Sequence, residues 1–140
     1  MKMLVALDGS DVSLRALDYA LALREKLSTG LELELVNVQP PMTAAVAQFV
    51  SREVIDEYHQ EQGDEVLAPA ITKAEAGSAT FMASVVVGRD AEALVQHAAD
   101  TACDGIIMGT RGMGSMTGLL VGSVASKVVH AASVPVTLVK

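Results

Sequence analysis

Met3-Leu4-Val5-Ala6-Leu7 runs without a polar residue into Asp8-Gly9-Ser10, and from Asp11 to Leu27 the apolar residues Leu14, Leu17 and Leu21 recur at helical spacing. That order reads as a strand, a turn and a helix. Leu31 to Val38 alternates Leu31, Leu33 and Leu35 with Glu32 and Glu34 before an all-apolar end, and Pro40-Pro41 stops it. A second strand is expected there. Two strands joined through a helix have room for a parallel crossover, which is almost always right-handed.

The same alternation continues outward. Met42 to Val50 is uncharged and without a clear period, and Ser51 to Ala76 is polar with a helical tint in Val54, Tyr58 and Val66. A loop and then a long exposed helix follow, with a break or kink expected between Gly63 and Pro69, which cost about 1 and about 3 kcal/mol inside a helix. Thr80 to Val87 is β-branched and apolar, Asp90 is placed to cap a helix bearing Leu94, Ala98 and Ala102, and Asp104 to Met108 is another buried-type strand. Val121 to Ala132 reads as a helix and Val134 to Val139 as the last strand. The pattern βαβαβαβαβ, with no linker or repeat, predicts one α/β domain over residues 1–140: an open five-stranded parallel sheet, order 3-2-1-4-5, with helices on both faces. Ligands of such sheets bind beyond the carboxyl ends of the strands where the winding reverses, here Asp8-Gly9-Ser10 and Gly109-Thr110-Arg111-Gly112.

Composition narrows the classes. With 51% hydrophobic and 19% charged residues the chain is too apolar for disorder. A mean hydropathy of +0.39 raises the question of a membrane span, but the uncharged stretch Gly112 to Ser126 is interrupted by glycines and hydroxyls and falls short of the about 20 apolar residues required. Five apolar residues between Lys2 and Asp8 are too few for a secretory segment, so a cytoplasmic location is expected. Net charge −7 argues against a nucleic-acid surface. The charge is uneven, however: all 17 acids lie at or before Asp104, and the final 36 residues carry Arg111, Lys127, His130 and Lys140 with no acid. An anion would find its site there. Cys103, the single cysteine, reads as a small half-buried hydrophobe beside a helix end.

The stretch from Met108 to Ser123, with glycines at 109, 112, 114, 118 and 122, is neither a Walker A loop nor a dinucleotide fingerprint. It offers backbone amides without Cβ shielding, and Gly122-Ser123 opens a helix whose free N–H groups and dipole attract phosphate. A tight turn with no ligand would use the same glycines. Gly109, two residues, Gly112, nine residues, Gly122-Ser123 is the G-x2-G-x9-G-[ST] spacing of the ATP-binding branch of the universal stress proteins, and the chain resembles that family from end to end. Val5-Ala6-Leu7-Asp8-Gly9-Ser10, Asp104 to Gly109, Gly122-Ser123-Val124-Ala125, His130-Ala131 and Val134-Pro135-Val136 carry the resemblance with it.

The resemblance implies a Rossmann-like fold of the adenine nucleotide alpha hydrolase type, ATP or AMP in the crevice, pairing of two chains through the last strand, and a stress-response role. It places Ala6 and Asp8 at the end of the first strand, Asp8 near the ribose or a phosphate-bound Mg2+, with backbone groups of Val38 on the adenine edge. Met108, Gly109, Thr110, Arg111, Gly112 and Gly114 would surround ribose and phosphate, with Gly122, Ser123 and Val124 donating amides and a hydroxyl to the phosphates. Ala6 stands where some members have proline, and Asn37 where histidine is common, which bears on the shape of the adenine pocket.

Other readings compete at several of these positions. Asp8 could be a turn residue and Ser10 a helix N-cap; Arg111 and Lys127 could simply be solvated. His59, His97 and His130 lack metal-ligand spacing. Met108, Met113 and Met116 gather near the crevice as soft walls for a base. No nucleophile, base and orienter stand together, so at most slow ATP hydrolysis or self-phosphorylation is expected. The alternatives are a dimeric interaction protein of the same fold that binds no nucleotide, and a nucleotide-processing or flavin enzyme, which would need a different loop after the first strand. At Val134 to Val139 the sheet edge is protected only by Pro135 and Lys140, and Thr137 is taken as a mid-strand donor for a homodimer. The identity of any protein partner is not legible.

Overall fold

Apolar runs bounded by turn residues become strands, and the periodic segments between them become helices. The computed structural model describes residues 1–113 and 121–140. Its elements are β1 (Lys2–Ala6), α1 (Asp11–Lys26), β2 (Glu32–Gln39), α2 (Ala44–Ala47), α3 (Arg52–Ala76), β3 (Thr80–Val87), α4 (Asp90–Asp100), β4 (Gly105–Gly109), α5 (Ser123–Ala131) and β5 (Val136–Val139). The five strands are parallel in the order β3-β2-β1-β4-β5. This is the predicted sheet.

Successive side chains on a strand point to opposite faces, so each central strand feeds two cores. Val5, Leu7, Leu33, Leu35 and Ile107 pack with Leu17 of α1 and Leu67 of α3 on one face. Leu4, Ala6, Val36, Ile106 and Met108 pack with Leu94 of α4 and Val128 of α5 on the other. The sheet is therefore covered on both sides, and the strand ends are left to form the crevice.

Several local expectations are corrected. Residues 44–47 of the expected loop form the short helix α2. The long helix α3 runs unbroken through Gly63 and Pro69. Gly63 packs close against the sheet, where an added Cβ would collide with the Val85 side chain of β3; the residue that costs helix propensity permits the packing that sustains the helix. Its buried stripe is His59, Gly63, Leu67, Ala70 and Ala74, while Val54 and Tyr58 are exposed. The His59 ring bonds the Pro40 carbonyl through Nε2 at 3.1 Å. Arg89, not Asp90, is the N-cap of α4, and Asp90 is its first residue. The last helix begins at Ser123 with Gly122 as N-cap.

Glu34, which alternates with leucines along β2, is not at the surface. Being on an interior strand, it is 3% exposed, facing α4. Lys2 Nζ lies 2.8 Å from one carboxylate oxygen, and Ser84 Oγ and His97 Nε2 lie 2.8 and 3.1 Å from the other. Burial pushes its pKa up, but the bonds from Lys2, Ser84 and His97 outweigh that and hold the carboxyl below its ordinary value of 4.5. The bond to Glu34 raises Lys2 in return, against a smaller opposing effect of burial.

At the β5 edge the backbone alternation differs from expectation. Ile106 donates its N–H to the Pro135 carbonyl and Thr110 donates to that of Val139. Residues of odd number on this strand thus face β4, so Thr137 belongs to the β4–β5 ladder, and the outward donors are Val136 and Leu138.

Candidate nucleotide site

A cavity of about 560 Å³ lies at the carboxyl ends of β1, β2 and β4. Its walls bring together Ala6, Asp8, Val38, Met108, Gly109, Arg111, Gly112, Gly122, Ser123 and Val124 from the sequence-derived set. Met113 lines it as well. Thr110 is not in the wall; it is buried, its N–H donating to Val139 and its carbonyl accepting from Gly122 N at 2.6 Å. It fastens the start of α5 to the end of β4. Gly114 and Met116 lie outside the described residues.

Asp8 is fixed by its own turn and by the glycine loop. Its Oδ1 accepts from Ser10 N at 3.0 Å and Ser10 Oγ at 2.6 Å. Its Oδ2 accepts from Met113 N at 3.0 Å, which ties together two segments far apart in sequence. Gly112 makes this possible, because an added Cβ would strike Asp8 Oδ2. Ser10 in turn caps α1, its Oγ accepting from Ser13 N at 3.1 Å. The ligand and turn readings of Asp8 thus meet in one residue: the carboxylate organises the turn while it lines the cavity.

The backbone at Val38 is presented by the ending of β1. Val36 accepts from Leu7 N on the β1 side, and Gln39 accepts from Gly88 N on the β3 side. By alternation the N–H and C=O of Val38 face the β1 side, beyond Ala6, the last paired residue of β1. A donor and an acceptor three atoms apart on an apolar wall suit the edge of a heterocyclic base. Asn37 beside it is internally engaged, Nδ2 donating to Leu7 O and Oδ1 accepting from Gln39 Nε2, both at 2.7 Å.

At the other end, α5 points its N-terminus into the cavity. Gly122 as N-cap has no side chain to accept from the first-turn amides, so those of Ser123, Val124 and Ala125 lack an internal partner. Free N–H groups, the positive end of the helix dipole and the Ser123 hydroxyl make an anion seat. Arg111 adds a cation on the loop; Lys127 is exposed and outside the wall. Among the described residues no three His, Cys, Asp or Glu side chains form a metal-binding group.

Sequence reasoning tied Asn37 to the pocket's shape but missed Leu7, Ser13, Val36, Asp90, Leu94 and Ala125 as wall residues. Leu94 had been assigned only to a helix face, and Asp90 to a cap. The signal for Asp90 was its spacing of four from Leu94, which puts both on one face of α4.

The chain is similar to known proteins over its whole length. The model of the universal stress protein family matches residues 1–140. A universal stress protein of Thermus aquaticus is 36% identical, the match covering 98% of this chain and 96% of that protein. Among solved structures, hypothetical protein MJ0577 superposes with a TM-score of 0.85 at 26% identity, covering 99% of this chain and 94% of the other. A universal stress protein in complex with cAMP superposes with a TM-score of 0.74 at 25% identity, covering 100% and 97%.

Proposed function

The chain belongs to the universal stress protein family, and from that premise we propose that it binds an adenine nucleotide, ATP foremost, in the cavity between Val38 and the start of α5, and acts as a nucleotide-dependent switch or sensor in a stress response. The observation that carries this is the pairing of two ends in one cavity: open backbone groups of Val38 on an apolar wall, and an uncapped helix N-terminus opposite. The first suits a base and the second a phosphate. The relative bound to cAMP supports the class of ligand.

Mg2+ would arrive with the phosphates. Asp8 is the carboxylate at the end of β1 that would hold it, from the side chain whose Oδ2 accepts from Met113 N. The Asp8 carboxylate is already engaged by Ser10 and Met113, and Asp90 is the other carboxylate among the described wall residues. Turnover below about 1 per minute is expected, against roughly 10 per second for typical enzymes.

Binding is tested by mass spectrometry of small molecules released from the purified protein and by thermal unfolding with millimolar ATP, with and without Mg2+. Ligand that binds only the folded chain raises the melting temperature. A Cβ on Gly122 would sit 3.3 Å from Thr110 O and 3.5 Å from Arg111 Cα. Gly122→Val should therefore weaken binding by crowding the phosphate seat. A wild type that carries no nucleotide and shows no shift with ATP would reject the proposal in favour of the nucleotide-free interaction protein.

A further inference from the structure

Resting on the nucleotide reading, we infer that Asp90 selects the base: its carboxylate accepts from the 6-amino group of adenine and turns away purines that carry a 6-keto oxygen.

Asp90 enters the cavity wall from α4, one turn before Leu94, and Leu94 packs in one cluster with Val36, Val38 and Met108, which line the same cavity. Most of this end is apolar. Of its polar groups, the Asn37 amide is used at both ends by Leu7 and Gln39. The open hydrogen-bonding capacity is therefore the Val38 backbone and the Asp90 carboxylate, which has no hydrogen-bond or ion-pair partner among the described residues. An acid in the first turn is favoured by the helix dipole wherever it points. Glu92 meets that preference too, but pairs with Arg89 at 3.4 Å and lies outside this cavity. The dipole explains an acid near the start of α4; the position of Asp90 in the wall is what it leaves over.

The two groups divide the recognition. Val38 offers one donor and one acceptor, which a base can satisfy along a single edge. A carboxylate only accepts. Adenine presents an amino group there with a second hydrogen to give, whereas hypoxanthine and guanine present a carbonyl whose lone pairs face the carboxylate. Selection arises as much from that repulsion as from the bond gained.

The test measures Kd for ATP, for 2′-deoxy-ATP and for inosine 5′-triphosphate, which carries the 6-keto group without guanine's 2-amino group, on wild type, Asp90→Ala and Asp90→Asn. Asp90 is exposed at a helix start, so circular dichroism is expected to show both variants folded. A hydrogen bond to a charged group corresponds to about tenfold or more in affinity. Wild type should prefer ATP, and Asp90→Ala should reduce the preference about tenfold. Asp90→Asn should reduce it further by raising affinity for the inosine nucleotide, since its amide can turn an NH2 toward a keto oxygen. A ratio unchanged within about twofold in both variants overturns the assignment, as does a change confined to the ratio of ATP to 2′-deoxy-ATP, which would place Asp90 at the ribose. A wild type that binds neither nucleotide overturns the nucleotide reading itself, and is told apart by the absence of any ATP signal.

Discussion

Burial of the Glu34 carboxylate against α4 is tolerable because three donors from three other elements meet it, and a buried charge without partners would neutralise or unfold the site. Its folded carboxyl titrates below the ordinary 4.5, so its contribution to stability is complete above that pH and is lost as pH falls through the folded value. Lys2, raised above 10.5, contributes below that value and ceases to do so as pH rises through its folded value. Glu34→Gln should cost about 1–3 kcal/mol near neutrality and flatten the acid limb of the stability profile. Urea titrations between pH 3 and 7 check this; an acid limb as steep in the variant as in wild type would show that other carboxylates govern it. The sequence did not announce the cluster. Glu34 alternates with leucines as a surface residue would, and only tertiary pairing brings Lys2, Ser84 and His97 to it. Asp8, Gly112 and Gly122, by contrast, were legible, because turn chemistry and close backbone approach demand particular residue types.

Among the elements, β1, β2 and β4 were plain in their apolar runs, whereas α3, expected to break or kink between Gly63 and Pro69, continues as one helix and buries a stripe that the spacing of Val54 and Tyr58 did not mark. Propensity penalises Gly63 and Pro69 locally, but packing on Val85 and on the stripe through Leu67, Ala70 and Ala74 overrides it. Gly63 must stay small. Pro69 is different: it is exposed inside the helix and supplies no N–H to the ladder. Pro69→Ala should therefore stabilise the protein, by up to about 3 kcal/mol, read as a higher denaturant midpoint at unchanged slope. Destabilisation instead would mean that the helix is bent around Pro69 to reach the sheet. At the end of β2 the apolar segment gave the strand, and the family resemblance singled out Val38; seeing that its N–H and C=O are open required the pairing of its neighbours, which no periodicity encodes.

Among the described residues the sheet ends in two edges without a neighbouring strand, β3 and β5. At β5 four residues, Val136 to Val139, carry no charge before Lys140, and an uncharged edge invites a second strand. We propose a homodimer built on that edge about a two-fold axis, the commonest closed arrangement of identical chains. The site of attack follows from the direction of the backbone. Thr137 is turned toward β4, so Thr137→Pro would damage the sheet of each protomer and say little about assembly. Leu138 presents its N–H outward, and Leu138→Pro removes an outward donor while leaving the β4 ladder intact. Its side chain packs against the α4 and α5 core, so some loss of stability accompanies the change, and circular dichroism must confirm the fold. Light scattering at about 100 micromolar, well above a dissociation constant of about 1 micromolar, or −8.2 kcal/mol, should find wild type dimeric and folded Leu138→Pro shifted toward monomer. A monomeric wild type at that concentration removes the proposal; a variant that stays dimeric moves the interface off the β5 edge, with β3 the next edge to probe.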